Sequence, residues 1–430
     1  MNTRQLTRIG AVLAANLLIA TAASAANFYV NKSATCGSTC DGTTWAKAWT
    51  SLGGIKYSAL NPGDTVYIAG GTYGPFSVGK SGTASAPLTF KRATQGDHGS
   101  DTGWSSAMDA RIIIDGGGSN FAIGIGEAPA YAAQSNIVID GATRYGIWAR
   151  NAMYGVRAAY GANKLTLRYL EIGDPGTYKN GEDGIQGKGD DLLVEYSYIH
   201  DNDSPVTHGD GIQWFGGNRV TLQYNIWKNN GQQIYLGEGN WDTVVNDVNV
   251  RYNVIYNRGG GHYNGIVLYG NNTQSGRYLN FYNNTFDLES KSNDGFNSVF
   301  YPIRGNATIN FKNNAVSYAN ASNVQYTADS SNAYDNSGTY VTWNIPSSES
   351  GRVTAADLGF VDQANANYRL AAGSPLIGKG VNVGLTRDFD GKAVGSTPSI
   401  GAFEYGTSGT GGTGGGTVTT LQPPTNLTVK

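Results

Sequence analysis

The chain is poor in charge. Asp, Glu, Lys and Arg make up 14% of its 430 residues, and 30 basic side chains against 32 acidic ones leave a net charge of −2. No basic field exists to hold nucleic acid, and a polyanion-binding role over the whole surface is not expected. There are 2 Cys and 4 His, and no Ser-His-Asp motif, phosphate loop or zinc motif is evident. Beyond the N-terminus there is no run of 18 apolar residues, so no membrane span is expected. The 61 Gly residues lack a three-residue period, which excludes collagen and fits many tight corners instead.

The N-terminus carries Arg4 and Arg8, an apolar run from Ile9 to about Ala22, and then Ala23-Ser24-Ala25. This reads as a secretory signal peptide over residues 1–25, so the mature protein is expected to be secreted or periplasmic and soluble. In that oxidising setting Cys36 and Cys40 are expected to pair as a disulfide, with a metal-binding pair as the alternative.

One phrase recurs between Lys164 and Val316: LTLRYLEI from Leu165, LLVEYSYI from Leu192, VTLQYNIW from Val220, VNVRYNVI from Val248, LNFYNNTF from Leu279 and INFKNNAV from Ile309. Its third residues are Leu167, Val194, Leu222, Val250, Phe281 and Phe311, separated by 27, 28, 28, 31 and 30 positions. A period of this length, with apolar and polar residues alternating inside each unit, predicts a solenoid whose coils stack through parallel strands. The phase extends back through Ile139, Ile114, Phe90 and Ile68, giving about ten coils. Two residues past the anchors stand Tyr169, Tyr196, Tyr224 and Tyr252, which strand alternation places on the anchors' face. The next column, Leu170, Ser197, Asn225, Asn253, Asn284 and Asn314, reads as an asparagine ladder, or else as ordinary surface turns.

Three stretches extend this reading: NPGDTVYIAGGTY at Asn61 to Tyr73, the NNTF coil end at Asn283 to Phe286, and AAGSPLIGKG with DFDG and IGAFEY between Ala371 and Tyr405. Through them the chain resembles the right-handed parallel β-helix proteins of the pectate-lyase-like superfamily over residues 27–405. The resemblance implies an all-β, right-handed parallel β-helix. It does not select a chemistry, since the same scaffold carries lyases, hydrolases, epimerases and binding proteins.

Taken in order, Thr44 to about Leu60 places Trp45, Trp49, Leu52 and Ile55 on one helical face, predicting an N-terminal capping helix for the open end of the solenoid. Gly96 to Ala110, with His98 and Trp104, reads as a surface loop, and Ser317 to Thr354 as an irregular covering. A second strand per coil is anchored by Val156, Ile185, Ile212, Ile234, Ile266 and Val299. The loops Gly173 to Glu182, His200 to Gly209 and Arg258 to Tyr263 are expected side by side, where a rigid scaffold tends to carry function. The β-helix domain is assigned to residues 26–405, and 406–430 to a Gly/Thr-rich linker and short tail.

The densest polar group is GEDGIQGKGDD from Gly181 and HGDGIQWF from His208. Superposing Ile185 on Ile212 stacks Asp183 on Asp210 and Gln186 on Gln213, with Arg157 and Tyr235 on the flanking coils. Arg157, Gln186, Gln213, Phe215, Tyr235, His262, Asn264 and Tyr269 would line a groove suited to an extended polysaccharide, rings stacking on sugars and amides reading hydroxyls.

Two chemistries use this set. A lyase would neutralise a uronate carboxyl and take its α-proton with His208 or Lys188. Glu182, Asp183, Asp201, Asp203 and Asp210 supply oxygens for Ca²⁺, and in β-helix lyases such clusters often hold calcium beside a Lys or Arg base, so the resemblance implies the same here. An inverting hydrolase would instead use Asp183 and Asp210 as acid and base. The plainer reading leaves the two aspartates as corner residues, His208 as a loop histidine and Lys188 as a solvated charge. The favoured reading is a monomeric polysaccharide lyase, with the hydrolase and a non-catalytic carbohydrate-binding solenoid as alternatives.

Overall fold

A computed structural model describes residues 25–127, 132–173, 182–202, 209–237, 244–257, 264–268, 277–288, 299–303, 307–317, 328–337 and 349–406. All of the expected signal peptide except Ala25, and the tail beyond Gly406, lie outside these residues.

The described residues wind into a parallel β-helix with three faces. On the first face an eleven-stranded sheet runs from Asn27–Val30 through Thr65–Ile68, Leu88–Arg92, Ile137–Asp140, Leu165–Arg168 and Leu192–Glu195 to Ala328–Ser330. The repeated anchors are Cα partners in unbroken succession: Ile139 with Leu167, Leu167 with Val194, Val194 with Leu222, Leu222 with Val250, Val250 with Phe281 and Phe281 with Phe311. They point inward and are buried, because a coil can shield its apolar side only against its neighbours.

Each repeated phrase holds two strands rather than one. Leu165–Arg168 and Leu170–Gly173 are separated only by Tyr169, which adopts φ 60°, and the same left-handed bend occurs at Tyr196, Tyr224, Tyr252, Asn283 and Asn313. The bend breaks strand alternation, so the tyrosines leave the core instead of sharing the anchors' face. They stack outside it, with ring centroids 5.1, 4.9 and 5.8 Å apart. The residue after the bend turns inward. Asn225, Asn253, Asn284 and Asn314 form the ladder, each side-chain oxygen accepting the backbone N–H of the column member one coil earlier. The amides of Asn253 and Asn284 also donate to the following asparagine. The column continues through Asn332 and ends on Glu349.

The second face comprises the short strands that follow these bends, from Leu170–Gly173 through Tyr198–His200, Ile226–Lys228, Val254–Asn257, Thr285–Leu288, Ala315–Ser317 and Ala333–Asp335 to Val353–Ala355. The third comprises Ile185–Gly187, Ile212–Trp214, Gln232–Leu236, Asn264–Leu268 and Phe300–Ile303. Two long strands, Ile112–Ile125 and Ile147–Ala158, pass from the second face to the third, with a register break between Asp115 and Ser119.

Several expectations are corrected. Ile114 lies on the second face beside Tyr73, and Phe90 pairs directly with Ile139; apolar alternation looks the same on every face. Phe300, not Val299, pairs with Ile266. The capping helix is replaced by short 3-10 turns at Trp45–Lys47, Leu52–Gly54 and Tyr57–Ala59. Gly53 and Gly54 disfavour a continuous helix, although Trp45, Trp49, Leu52 and Ile55 are all buried. The segment after Gly96 is not a bare loop: His98 is enclosed by Tyr29, Trp45, Tyr67 and Trp104. Coiling continues to Val353–Ala355, and the outer covering is the segment that follows. Tyr368, Phe389, Ala402 and Phe403 pack onto Tyr198, Ile226, Val254 and Tyr256 of the second face. Arg144 rivets this arm, its guanidinium lying over Phe389 at 4.3 Å and over Tyr196 at 5.3 Å. Cys36 and Cys40 form a disulfide with Cα atoms 5.2 Å apart. No helix among the described residues is long and apolar enough to cross a membrane.

Candidate functional site

The third face is turned by its Asp-Gly pairs. A side chain at Gly184 would collide with the Gly211 carbonyl at 2.6 Å, and one at Gly211 with the Gln233 carbonyl at 2.5 Å, so only glycine lets neighbouring coils approach this closely. The preceding aspartates stabilise the corner. Asp183 accepts the backbone N–H of Asp210 at 2.9 Å and the Gln186 amide at 2.8 Å, while the Asp210 carbonyl accepts the N–H of Gly184 at 2.7 Å. Asp183 and Asp210 are thus neighbours on successive coils, as the spacing predicted. They sit beneath the surface, 3% and 0% exposed.

Outward from this corner the expected row is in register. Arg157 is the Cα partner of Gln186, Gln186 of Gln213, and Gln213 of Tyr235. The Gln186 amide donates to the Gln213 side-chain oxygen at 3.1 Å. Two residues further along the same coils are Lys188 and Phe215, both partly exposed. The Gly187 carbonyl accepts the N–H of Phe215 at 2.9 Å, fixing their relative position. Tyr160, 57% exposed, meets Phe215 edge to face at 5.6 Å and extends the aromatic surface.

At the other end of the row is a group that sequence reading passed over. The Arg157 guanidinium lies 4.5 Å over the Tyr154 ring and 3.5 Å from the Glu127 carboxylate. The Tyr154 hydroxyl donates to Glu182. Burial, followed by this bond, raises Tyr154 well above its ordinary value of 10.0 and keeps its proton on the oxygen. The available signal was the coil period itself, since Tyr154 and Glu182 are 28 residues apart, the same spacing as the anchors.

Of the remaining expected residues, Asp203, His208, His262 and Tyr269 lie outside the described residues. So does the side chain of Asn264, whose backbone pairs with Gln232. Asp201 stands apart from Asp183 and Asp210. Its carboxylate is bonded to His200 at 2.8 Å, Lys228 at 3.3 Å and Asn229 at 3.1 Å. Calcium takes about six to eight oxygen ligands, yet Glu182 holds Tyr154, Asp183 holds two donors, and Asp201 is held by three partners. Among the described residues no three His, Cys, Asp or Glu converge to hold a metal ion. Asp201 therefore does not join Glu182, Asp183 and Asp210 in the expected calcium cage.

The Asp201 cluster belongs to the second face. His200 is set between Asp201 and Glu171, with Glu171 also paired to Arg111. Burial by itself would push His200 down, but the two carboxylates outweigh it and hold the ring above its ordinary 6.5. Burial likewise opposes ionised Asp201, while His200, Lys228 and Asn229 hold it below its ordinary 3.8. The histidine's contribution to stability is complete below pH 6.5 and is lost as pH rises through its raised value; that of Asp201 is complete above pH 3.8 and is lost as pH falls through its lowered value. Urea midpoints of the wild type and of His200→Gln, measured from about pH 5 to about pH 9, are expected to converge as pH rises. A constant gap across that range would show that His200 is not charged in the folded protein.

No family model matches the chain, and no curated protein sequence does. Solved structures do. A pectate lyase, Pel9A, superposes with a TM-score of 0.50 at 18% identity over 88% of this chain and 96% of its own. An alginate lyase from Paenibacillus sp. str. FPU-7 gives 0.43 at 17% identity, covering 69% and 93%, and a rhamnogalacturonan lyase gives 0.38 at 12%, covering 79% and 92%. At these identities the likeness is one of fold, and the fold shared with Pel9A is the parallel β-helix.

Proposed function

We propose that the protein is a secreted polysaccharide lyase that cleaves a uronate-containing glycan by β-elimination on the outer surface of its third face. The observation that carries this reading is the in-register row of Arg157, Gln186, Gln213 and Tyr235, flanked by the ring pair Tyr160 and Phe215. Successive coils lie about 4.8 Å apart, close to the length of a sugar unit, so a chain crossing them meets a cation, amides and rings in turn. The Arg157 guanidinium pairs with the uronate carboxylate and draws its charge, which makes the proton on the adjacent carbon removable. Lys188, or His208 one residue before Gly209, takes that proton. The Gln213 amide binds hydroxyls, and Phe215 and Tyr160 stack on sugar faces. The fold neighbour named as a pectate lyase supports trying galacturonate polymers first.

A panel of acidic and neutral glycans, with and without chelator, tests this when ultraviolet absorbance and reducing ends are read together. The expected result is absorbance from an unsaturated product that rises in step with reducing ends on an acidic glycan. Reducing ends without absorbance would make the protein a hydrolase. Binding with neither signal would make it a carbohydrate-binding solenoid.

A further inference from the structure

The row that binds the sugar acid ends in a group with no role in carboxylate binding. Tyr154 is 6% exposed and lies outside the main apolar cluster. It adjoins the corner formed by Asp183, whose carbonyl accepts the N–H of Gly155 at 3.2 Å. Its ring is covered by the Arg157 guanidinium at 4.5 Å and its hydroxyl is held by Glu182, which is anchored by donating its own N–H to the Met153 carbonyl at 2.8 Å. A phenol required only for packing could have been a phenylalanine. Here an O–H is aimed at a partly exposed carboxylate beside the cation assigned to the substrate.

We propose that Tyr154 is the catalytic proton donor to the departing glycosidic oxygen, with Glu182 as its positioning residue. This assignment rests on the lyase reading above. β-Elimination needs two proton movements. The base removes the proton from the carbon next to the carboxylate, and the electron pair of that C–H bond becomes the new carbon–carbon double bond. The bond from the adjacent carbon to the glycosidic oxygen breaks and leaves its pair on oxygen. Tyr154, turning about its own C–O bond away from Glu182, gives its proton to that oxygen, which leaves as the reducing-end hydroxyl of the released chain. The tyrosinate left behind would repel Glu182, and Arg157 above its ring offsets that charge until solvent returns a proton. The base releases its own proton to solvent, so no water is consumed and no co-reactant is needed.

The test uses two substrates, a uronate polymer and a short uronate carrying a 4-O-nitrophenyl group, which departs with little need of protonation. Tyr154→Phe keeps the ring under Arg157 and removes only the hydroxyl. On the polymer its kcat is expected to fall by about a hundred- to a thousandfold with KM nearly unchanged, while on the nitrophenyl substrate it stays within about tenfold of wild type. Glu182→Gln removes the charge that keeps the proton on Tyr154, so the alkaline limb of its kcat profile is expected to move to lower pH, a shift that loss of packing would not produce.

Equal losses on both substrates, or full activity of Tyr154→Phe on the polymer, would overturn the assignment while leaving the lyase reading intact. A wild type that forms no unsaturated product from either substrate would overturn both.

Discussion

Asn253→Ala is expected to lower stability by about 3–5 kcal/mol, because it strips several buried partners at once. Asn253 is fully buried. Its side-chain oxygen accepts the N–H of Asn225 at 3.0 Å and the Trp227 indole N–H at 3.3 Å, and its amide donates to the Leu222 carbonyl at 2.8 Å and to Asn284 at 3.0 Å. Alanine leaves all four without this partner in a space closed to water, and each orphaned group costs about 1–3 kcal/mol before neighbours relax. Asn280 is the informative contrast. It belongs to another column of asparagines at coil spacing, with Asn249 and Asn310, but that column faces outward and is partly exposed. There water replaces the lost bonds, and Asn280→Ala should change stability by no more than about 0.5 kcal/mol. Urea unfolding followed by circular dichroism reads both: a large drop in midpoint for Asn253→Ala and almost none for Asn280→Ala. Similar small losses for both would mean that the inner ladder is not a principal support of the coil stack.

The same contrast shows what was legible in the chain. Inward positions must be apolar or mutually hydrogen-bonded, so Leu167, Val194, Leu222 and Val250 and the asparagines beside them fall into register when the repeats are aligned. The bends at Tyr169 and its counterparts were hidden because a left-handed φ at a tyrosine leaves no mark on alternation. Missing them merged two faces into one phrase and put the tyrosine stack on the wrong side of the wall. The arm that covers the second face was missed for a related reason. Its Tyr368, Phe389 and Phe403 follow no coil period, since they pack against the outside of the solenoid.

The site was legible in part. The coil spacing brought Asp183 to Asp210 and Arg157 to Gln186, Gln213 and Tyr235. What spacing could not tell is which way a corner side chain turns. Gly184 and Gly211 let the coils close up, and the Asp183 carboxylate turns down into the corner's hydrogen bonds. Tyr154 and Glu182 were one coil apart in the sequence, yet no pattern distinguishes a tyrosine that reaches a neighbour's carboxylate from one that simply packs.

On the proposed lyase reading, Arg157→Ala should produce a large functional loss. Arg157 is the only Arg or Lys in the Cα-matched row that continues through Gln186, Gln213 and Tyr235. Its partner Glu127 is 3.5 Å away, a separation at which an incoming sugar carboxylate can compete for the guanidinium. Without that cation the negative charge that develops beside the carboxylate has no compensation, and removing one such preorganised donor typically costs about a hundred- to a thousandfold in kcat. Arg251 is the matched control. It also projects from a β-helix wall, but from the first face, where it donates to Gln223 at 2.8 Å.

The direct test is to measure the rate of unsaturated-product formation from a uronate polymer for the wild type, Arg157→Ala and Arg251→Ala, with all three shown to be folded. The third-face account predicts a loss of about a hundredfold or more for Arg157→Ala and a rate close to wild type for Arg251→Ala. An active Arg157→Ala protein, or a loss confined to Arg251→Ala, would contradict it and move the reaction to another wall of the β-helix.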